Sequence, residues 1–310
     1  MSRSPRRPPQ LRGRIFRGSR AISRGLLTRN ELRSSAWRPL FRDLYADAHL
    51  PVTHRTRCAA AGRLLIPAGA AIAGRSAAVL YGCAHTTFDD TVDVLVPRGK
   101  PAGPAAGLRV HRGPVDAGDV VDRAGIPVTS PVRTCWDVAS WLDLVEAVVV
   151  IDALLARQLT DVSTLRGYAL ARAGRRGWRA MLRAVDVADA GAESSQESRA
   201  RVRLVLAGLP RPRTQWVVSA QGRFLARLDL AWPDYRVAIE YDGLWHDDPA
   251  QFDADRRRLN RVVGGDWIVL HLTAKRLRED FDGFVAEVRA ALRSRGHRTG
   301  APRIPEQPTP

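Results

Sequence analysis

Two apolar runs, RLDLA at 227–231 and VAIEYDG at 237–243, carry Asp229, Glu240 and Asp242 where a strand pattern calls for side chains that can be buried. A buried carboxylate costs several kcal/mol unless something compensates it, so the compensating partner constrains both fold and chemistry. Side chains alternate faces along a strand. Phe224, Ala226, Leu228 and Leu230 then share one face, with Arg227 and Asp229 on the other. Glu240 and Asp242 share a face with Ala238, opposite Ile239 and Tyr241. WPDYR can turn the chain between these strands, so they pair antiparallel and Asp229 comes within about one residue of facing Glu240. Carboxylates this close repel, and at least one pKa should rise unless a cation is bound. Mg²⁺ suits one or two carboxylates plus waters and substrate oxygens, and a metal so held can activate water against a phosphodiester. The alternative is a solvated edge whose acids pair with nearby arginines, with His246 an ordinary loop residue. Asp234 falls in the turn, where Asp is common.

The rest of the composition bounds the partner. Among 310 residues, Lys and Arg total 49 against 32 Asp and Glu, a formal charge of +17. That excess favours a polyanion such as nucleic acid. Lys100 and Lys275 are the only lysines, and an Arg-, Ala-, Gly- and Pro-rich chain also fits a GC-rich coding bias. Cys58, Cys83 and Cys135 have neither zinc-ligand nor CxxC spacing, so a disulfide framework or zinc site is not expected. The most apolar stretch, LVEAVVVIDALLA at 144–156, contains Glu146 and Asp152 and is too short to span a bilayer. No hydrophobic run follows the basic N-terminus as in a signal peptide. The expectation is a cytoplasmic protein without membrane partners.

Along the chain, residues 1–22 read as a disordered basic tail. Thr28 and Glu31 are spaced as a capping box, in a segment, 23–45, that could be part of a small helical DNA-binding unit. Strands are expected near 92–96, 108–113 and 126–130, and one long helix from Ser130 or Pro131 to about Gln158. Two further helices follow near 163–173 and 177–188, then a small polar linker, ADAGAESS. The last hundred residues read αβββαβα, with the first helix ending at Gly208. A Pro-rich tail, 297–310, closes the chain. The fold class is therefore α/β, with a mixed α/β part at 61–188 and a distinct domain at 189–296.

The segment from SSQESRAR through LDLAWPDYRVAIEYDGLWH to DRRRLNRVVGGDWIVLHLT resembles the PD-(D/E)xK restriction-endonuclease-like superfamily, and within it the very-short-patch-repair-like endonuclease domains. The resemblance implies a metal-dependent endonuclease acting on double-stranded DNA, with Mg²⁺ or Mn²⁺ as cofactor. It assigns Glu197, Asp229, Glu240, Asp242 and His246 to catalysis, with Asp229, Glu240 and Asp242 at the metal. Asp255 and Arg257 match a further polar cluster of these domains. Arg199, Arg256, Arg257 and Lys275 are the implied nucleic-acid contacts. The Lys usual two residues after the strand acid is replaced by Asp242, which leaves His246 as the acid–base candidate. His271 stands where related domains tend to carry Arg. Residues 23–160, through TRNEL, GRSAAVLYG, TVDVLVPRG, LRVHRGPV and IPVTSPVRTCWDVA, resemble the AbiEi-type antitoxin family, which implies a degenerate winged helix at 23–60 and a DNA or protein partner for that half. His111 and Trp136 are expected to pack, and Arg75 and Ser76 either to meet a partner or to begin a helix. The alternatives to an enzyme are an inactive DNA-binding regulator and an antitoxin-like protein.

Overall fold

A computed structural model of the chain describes residues 5–83, 91–100, 106–220, 222–242 and 266–297. The molecule is mixed α/β and divides into two compact units, residues 1–141 with 163–181, and residues 142–162 with 182–310.

The first unit begins with a small antiparallel sheet of β1 (Ile15–Arg17), β2 (Trp37–Phe41) and β3 (Leu44–Asp47), in the order β1-β3-β2. The short helix α1 (Gly18–Ser23) follows β1. The leader expected to be disordered to residue 22 is thus folded from about Pro9. The reason is long-range: Asp47, 1% exposed, pairs with the Arg7 guanidinium and accepts the N–H groups of Gly13 (2.7 Å) and His49 (3.0 Å). The Thr28–Glu31 capping box forms reciprocally. Only a 3₁₀ turn, Glu31–Arg33, follows it, where a recognition helix of a winged helix would be sought.

A five-stranded mixed sheet follows. Its members are β4 (Ala71–Ile72), β5 (Val92–Pro97), β6 (Leu108–Gly113), β7 (Val120–Asp122) and β8 (Pro127–Thr129), in the order β6-β5-β4-β8-β7. Helices α2 (His54–Leu64), α3 (Gly74–Leu80) and α4 (Pro131–Trp141) accompany it. β5 lies inside the sheet and all of Val92–Val96 is buried, Asp93 included. Asp93 is held by His111 Nε2 at 3.0 Å, and its N–H donates to Ser76 Oγ. Ser76, fully buried, is thus an internal bonding group rather than a partner contact. His111 stacks on Trp141 at 3.4 Å and Trp136 is buried, in line with packing roles.

The long helix expected from residue 130 is two helices. α4 stops at Trp141 and α5 (Leu144–Ala156) begins anew, because the Asp143 carboxylate accepts the Glu146 N–H at 3.0 Å as an N-cap. This break also marks the boundary between the units, so α5 joins the second unit rather than the first. Helices α6 (Val162–Leu170) and α7 (Trp178–Val187) come next.

In the second unit α8 (Ser195–Leu206) ends in a Schellman pattern. Gly208 has φ +81°, Leu209 N–H bonds the Leu204 carbonyl, and Gly208 N–H bonds that of Val205. The sheet contains β9 (Arg213–Ala220), β10 (Arg223–Trp232), β11 (Val237–Asp242) and β12 (Ile268–Thr273), in the order β12-β11-β10-β9. β9, β10 and β11 pair antiparallel, while β12 pairs parallel with β11. The expected single final helix breaks at Asp280 into α9 (Ala274–Glu279) and α10 (Phe281–Ser294). The helix expected between β11 and β12 and the tail beyond residue 297 lie outside the described residues.

One sheet face packs Leu230, Trp232, Val237, Ile239 and Leu272 against Leu204, Phe284 and Val288 of the helices. The other face gathers Ala226, Leu228, Ala231 and Ala238. Leu228 and Leu230, expected on one face, therefore feed different clusters, and the change occurs at Asp229. α5 is fastened to α8 by Arg201, which is 0% exposed and donates through Nη2 to Asp152 Oδ2 at 2.6 Å. Ser198 Oγ and the Asp189 N–H complete that carboxylate, each at 2.7 Å.

Candidate functional site

The hairpin register sets the geometry. β10 pairs with β11 through Trp232↔Val237, Ala231↔Ala238 and Leu230↔Ile239. The ladder ends at that last pair, one residue short of Asp229 on β10 and of Glu240 on β11. The Asp229 carboxylate takes over, accepting the Tyr241 N–H through Oδ2 at 2.9 Å. The half-buried Asp229 is thus built into the point where the strands part.

Glu197 reaches the same place from the first turn of α8. Ser194 caps that helix by accepting the Glu197 N–H at 3.1 Å, while the Glu197 carboxylate accepts the Glu193 N–H at 3.0 Å. Glu197 is only 7% exposed. Burial pushes its pKa up, hydrogen bonds pull the other way, and the nearby Asp229 charge pushes further up. Gln215 of β9, in the left-handed region at φ 50°, joins the two acids. Its Nε2 donates to Glu197 Oε2 at 2.9 Å and lies 3.5 Å from Asp229 Oδ1.

Glu240 and Asp242 belong to a second group. In the parallel ladder Glu240 pairs with His271. His271 Nδ1 sits 3.1 Å from both oxygens of Asp242. That contact with Asp242 pushes the imidazole pKa up, burial opposes it, and the charges of Asp242 and Glu240 add to the rise. The carboxylates are hard oxygen donors of the kind Mg²⁺ accepts. Among the described residues, however, no three acidic, His or Cys side chains converge as a ready metal cluster.

The remaining assignments divide. Arg199 is held by Glu146, with Nε–Oε1 at 2.5 Å and Nη2–Oε2 at 2.9 Å, so its guanidinium is engaged within the unit. Lys275 is exposed in the first turn of α9. His246, Asp255, Arg256 and Arg257 lie outside the described residues. Two residues of the site were not assigned from sequence. Gln215 had a signal, a polar side chain between Thr214 and Trp216 in a strand whose opposite face is apolar. His271 stands out in the sequence only as a departure, because its meeting with Asp242 depends on a parallel pairing that no local pattern reveals.

No protein-family model matches the chain. Among curated proteins it is similar to the uncharacterized protein MT2308 of Mycobacterium tuberculosis (strain CDC 1551 / Oshkosh) and to the uncharacterized protein Rv2248 of strain ATCC 25618 / H37Rv. Each is 32% identical over 207 residues, covering 66% of this chain and 74% of the relative. Among solved structures, the crystal structure of RV2827C protein from Mycobacterium tuberculosis has a TM-score of 0.38 and 18% identity, covering 67% of this chain and 84% of that one. No helix among the described residues is long and apolar enough to cross a membrane. At 32% identity over 74% of the relative's length, this chain belongs to the family of the mycobacterial proteins MT2308 and Rv2248.

Proposed function

We propose that the second unit is a metal-dependent DNA endonuclease domain of the very-short-patch-repair-like, PD-(D/E)xK type. The observation that carries this reading is the register of the β10–β11 hairpin. Its last pair, Leu230↔Ile239, leaves Asp229 and Glu240 as the next residues of the two strands, with Glu197 tied to Asp229 through Gln215. Asp229 and Glu240 would hold Mg²⁺ or Mn²⁺, with Asp242 and Glu197 beside them. Two carboxylates suffice for an ion that keeps most of its waters. When bound, the ion supplies an activated water and offsets charge on the phosphodiester.

The chain's own groups do the rest. Gln215 fixes the orientation of both Glu197 and Asp229. Burial favours a proton on Glu197, which limits the repulsion between the two acids. Asp242 orients His271 and favours its imidazolium form, leaving Nε2 free to donate to a phosphate oxygen where the superfamily's Lys would stand. His246 remains the proposed acid–base group. Lys275, Arg256 and Arg257 would contact the DNA backbone, giving binding that weakens steeply with salt.

Asp242 in place of Lys favours a second reading, an inactive DNA-binding domain. Plasmid nicking in Mg²⁺ or Mn²⁺ against EDTA separates the two. The nuclease reading expects nicking that needs metal and disappears in Asp229→Ala and Glu240→Ala. Equal behaviour of wild type and both variants, mismatched substrates included, would refute it.

A further inference from the structure

A separate feature lies wholly in the first unit, a cavity of about 350 Å³ whose wall includes Arg98, Arg133, Arg172, Arg175 and Arg176 together with Tyr168. Its floor is rigidly built. Arg133, 5% exposed, donates from Nε to Asp137 at 2.8 Å, and from Nη1 to Asp119 at 2.5 Å and the Pro114 carbonyl at 2.8 Å. Tyr168 Oη donates to the other Asp119 oxygen at 2.7 Å, and the Arg172 guanidinium lies 3.5 Å over the Tyr168 ring. Above this floor the charges do not balance. Arg172 and Arg175 share one oxygen of Asp116, at 3.0 and 2.7 Å. Arg98 and Arg176 are exposed at the rim, and no ion pair to either occurs among the described residues. Five guanidinium groups thus meet three carboxylates, and burial already pushes Asp137 up to about 7.

Guanidinium groups converging on one cavity repel unless an anion fills it, and their planar forks match phosphate oxygens in pairs. The volume sits at the small end of small-molecule pockets, which favours a compact ligand over a polymer. We propose that this cavity binds a small phosphorylated ligand, a phosphate monoester or diphosphate, held by Arg98, Arg175 and Arg176 over the Arg133–Tyr168 floor. This site is independent of the carboxylate site of the second unit.

The test is calorimetric titration of inorganic pyrophosphate into the full chain at moderate salt, with Arg98→Ala and Arg176→Ala, both at exposed positions that leave the floor intact. Arg38→Ala, an exposed arginine of the small antiparallel sheet, controls for charge alone. The proposal expects saturable one-to-one binding, weakened about tenfold by each rim variant and unchanged by Arg38→Ala. Binding that fails to saturate, or falls equally in all three variants, or is indifferent to the rim variants, overturns it. A blunt duplex without terminal phosphates provides the second arm. If it displaces pyrophosphate with the same dependence on Arg98 and Arg176, the cavity is part of a backbone-binding surface and the small-ligand proposal fails.

Discussion

Six carboxylates are buried among the described residues, and the two units treat them differently. In the first unit Asp47 faces Arg7, Asp93 faces Arg109 and His111, and Asp119 and Asp137 share Arg133. In the second unit Asp152 faces Arg201, but no arginine pairs with Glu197 among the described residues. Its partners are an amide and a backbone N–H. In a chain so rich in arginine, supplying a guanidinium is the ready way to compensate a buried acid. The difference separates carboxylates that hold the fold from one that burial biases toward the neutral form beside Asp229. That contrast supports a cation site in the second unit and a purely structural role for the other five.

The largest effect that would test this contrast is on stability. Arg201→Ala leaves Asp152 buried without its cation, and should cost about 3–5 kcal/mol in chemical denaturation. Arg133→Ala should cost the first unit a similar amount. A loss under about 1 kcal/mol in both would mean that these pairs do not anchor the units. Gln215→Ala comes next. If Gln215 orients Glu197 and Asp229 for a metal, cleavage should fall about 10–100-fold while the denaturation midpoint moves little. A loss of stability with undiminished cleavage would make Gln215 a structural bond only.

Glu197 gives the third test, through pH. Its folded pKa is raised, so its stabilising contribution is fully present below its ordinary value of about 4.3. That contribution is lost as pH climbs through the folded pKa. Replacing it, Glu197→Gln, should flatten this part of the stability–pH curve and leave the protein at least as stable at neutral pH. An unchanged slope would remove Glu197 from the comparison. The smallest effect is at the junction. Asp143→Ala removes the cap of α5 and should cost about 1 kcal/mol by thermal or chemical denaturation, and no change at all would show that the helix break does not depend on that cap.

How much of this was readable in the sequence follows from range. The Gly208 stop, the Thr28–Glu31 box and the antiparallel hairpin that carries Asp229 and Glu240 are local, and local patterns announce them. The break between α4 and α5 was also local, since DLVE carries a cap and a Glu at the right spacing, but the apolar run AVVVI that follows at 147–151 masked the signal. Features that depend on distant segments were not legible. Asp47 draws the basic leader into a folded module, and the parallel β12 carries His271 to Asp242. The cavity of the first unit takes its arginines from before residue 100, from α4, and from the segment around α6. Of the carboxylate site itself, sequence supplied Glu197, Asp229, Glu240 and Asp242, and missed the Gln215 bridge because its conformation at φ 50° is not encoded by residue type.

The most direct measurement pairs binding with cleavage on the same preparations. Wild type and Asp229→Asn would be assayed in parallel for duplex binding in EDTA and for plasmid nicking in Mg²⁺. The account predicts comparable binding by both proteins, and nicking by wild type alone. Nicking by both at equal rates, or by neither with binding retained, would contradict a metal-dependent nuclease centred on Asp229 and Glu240.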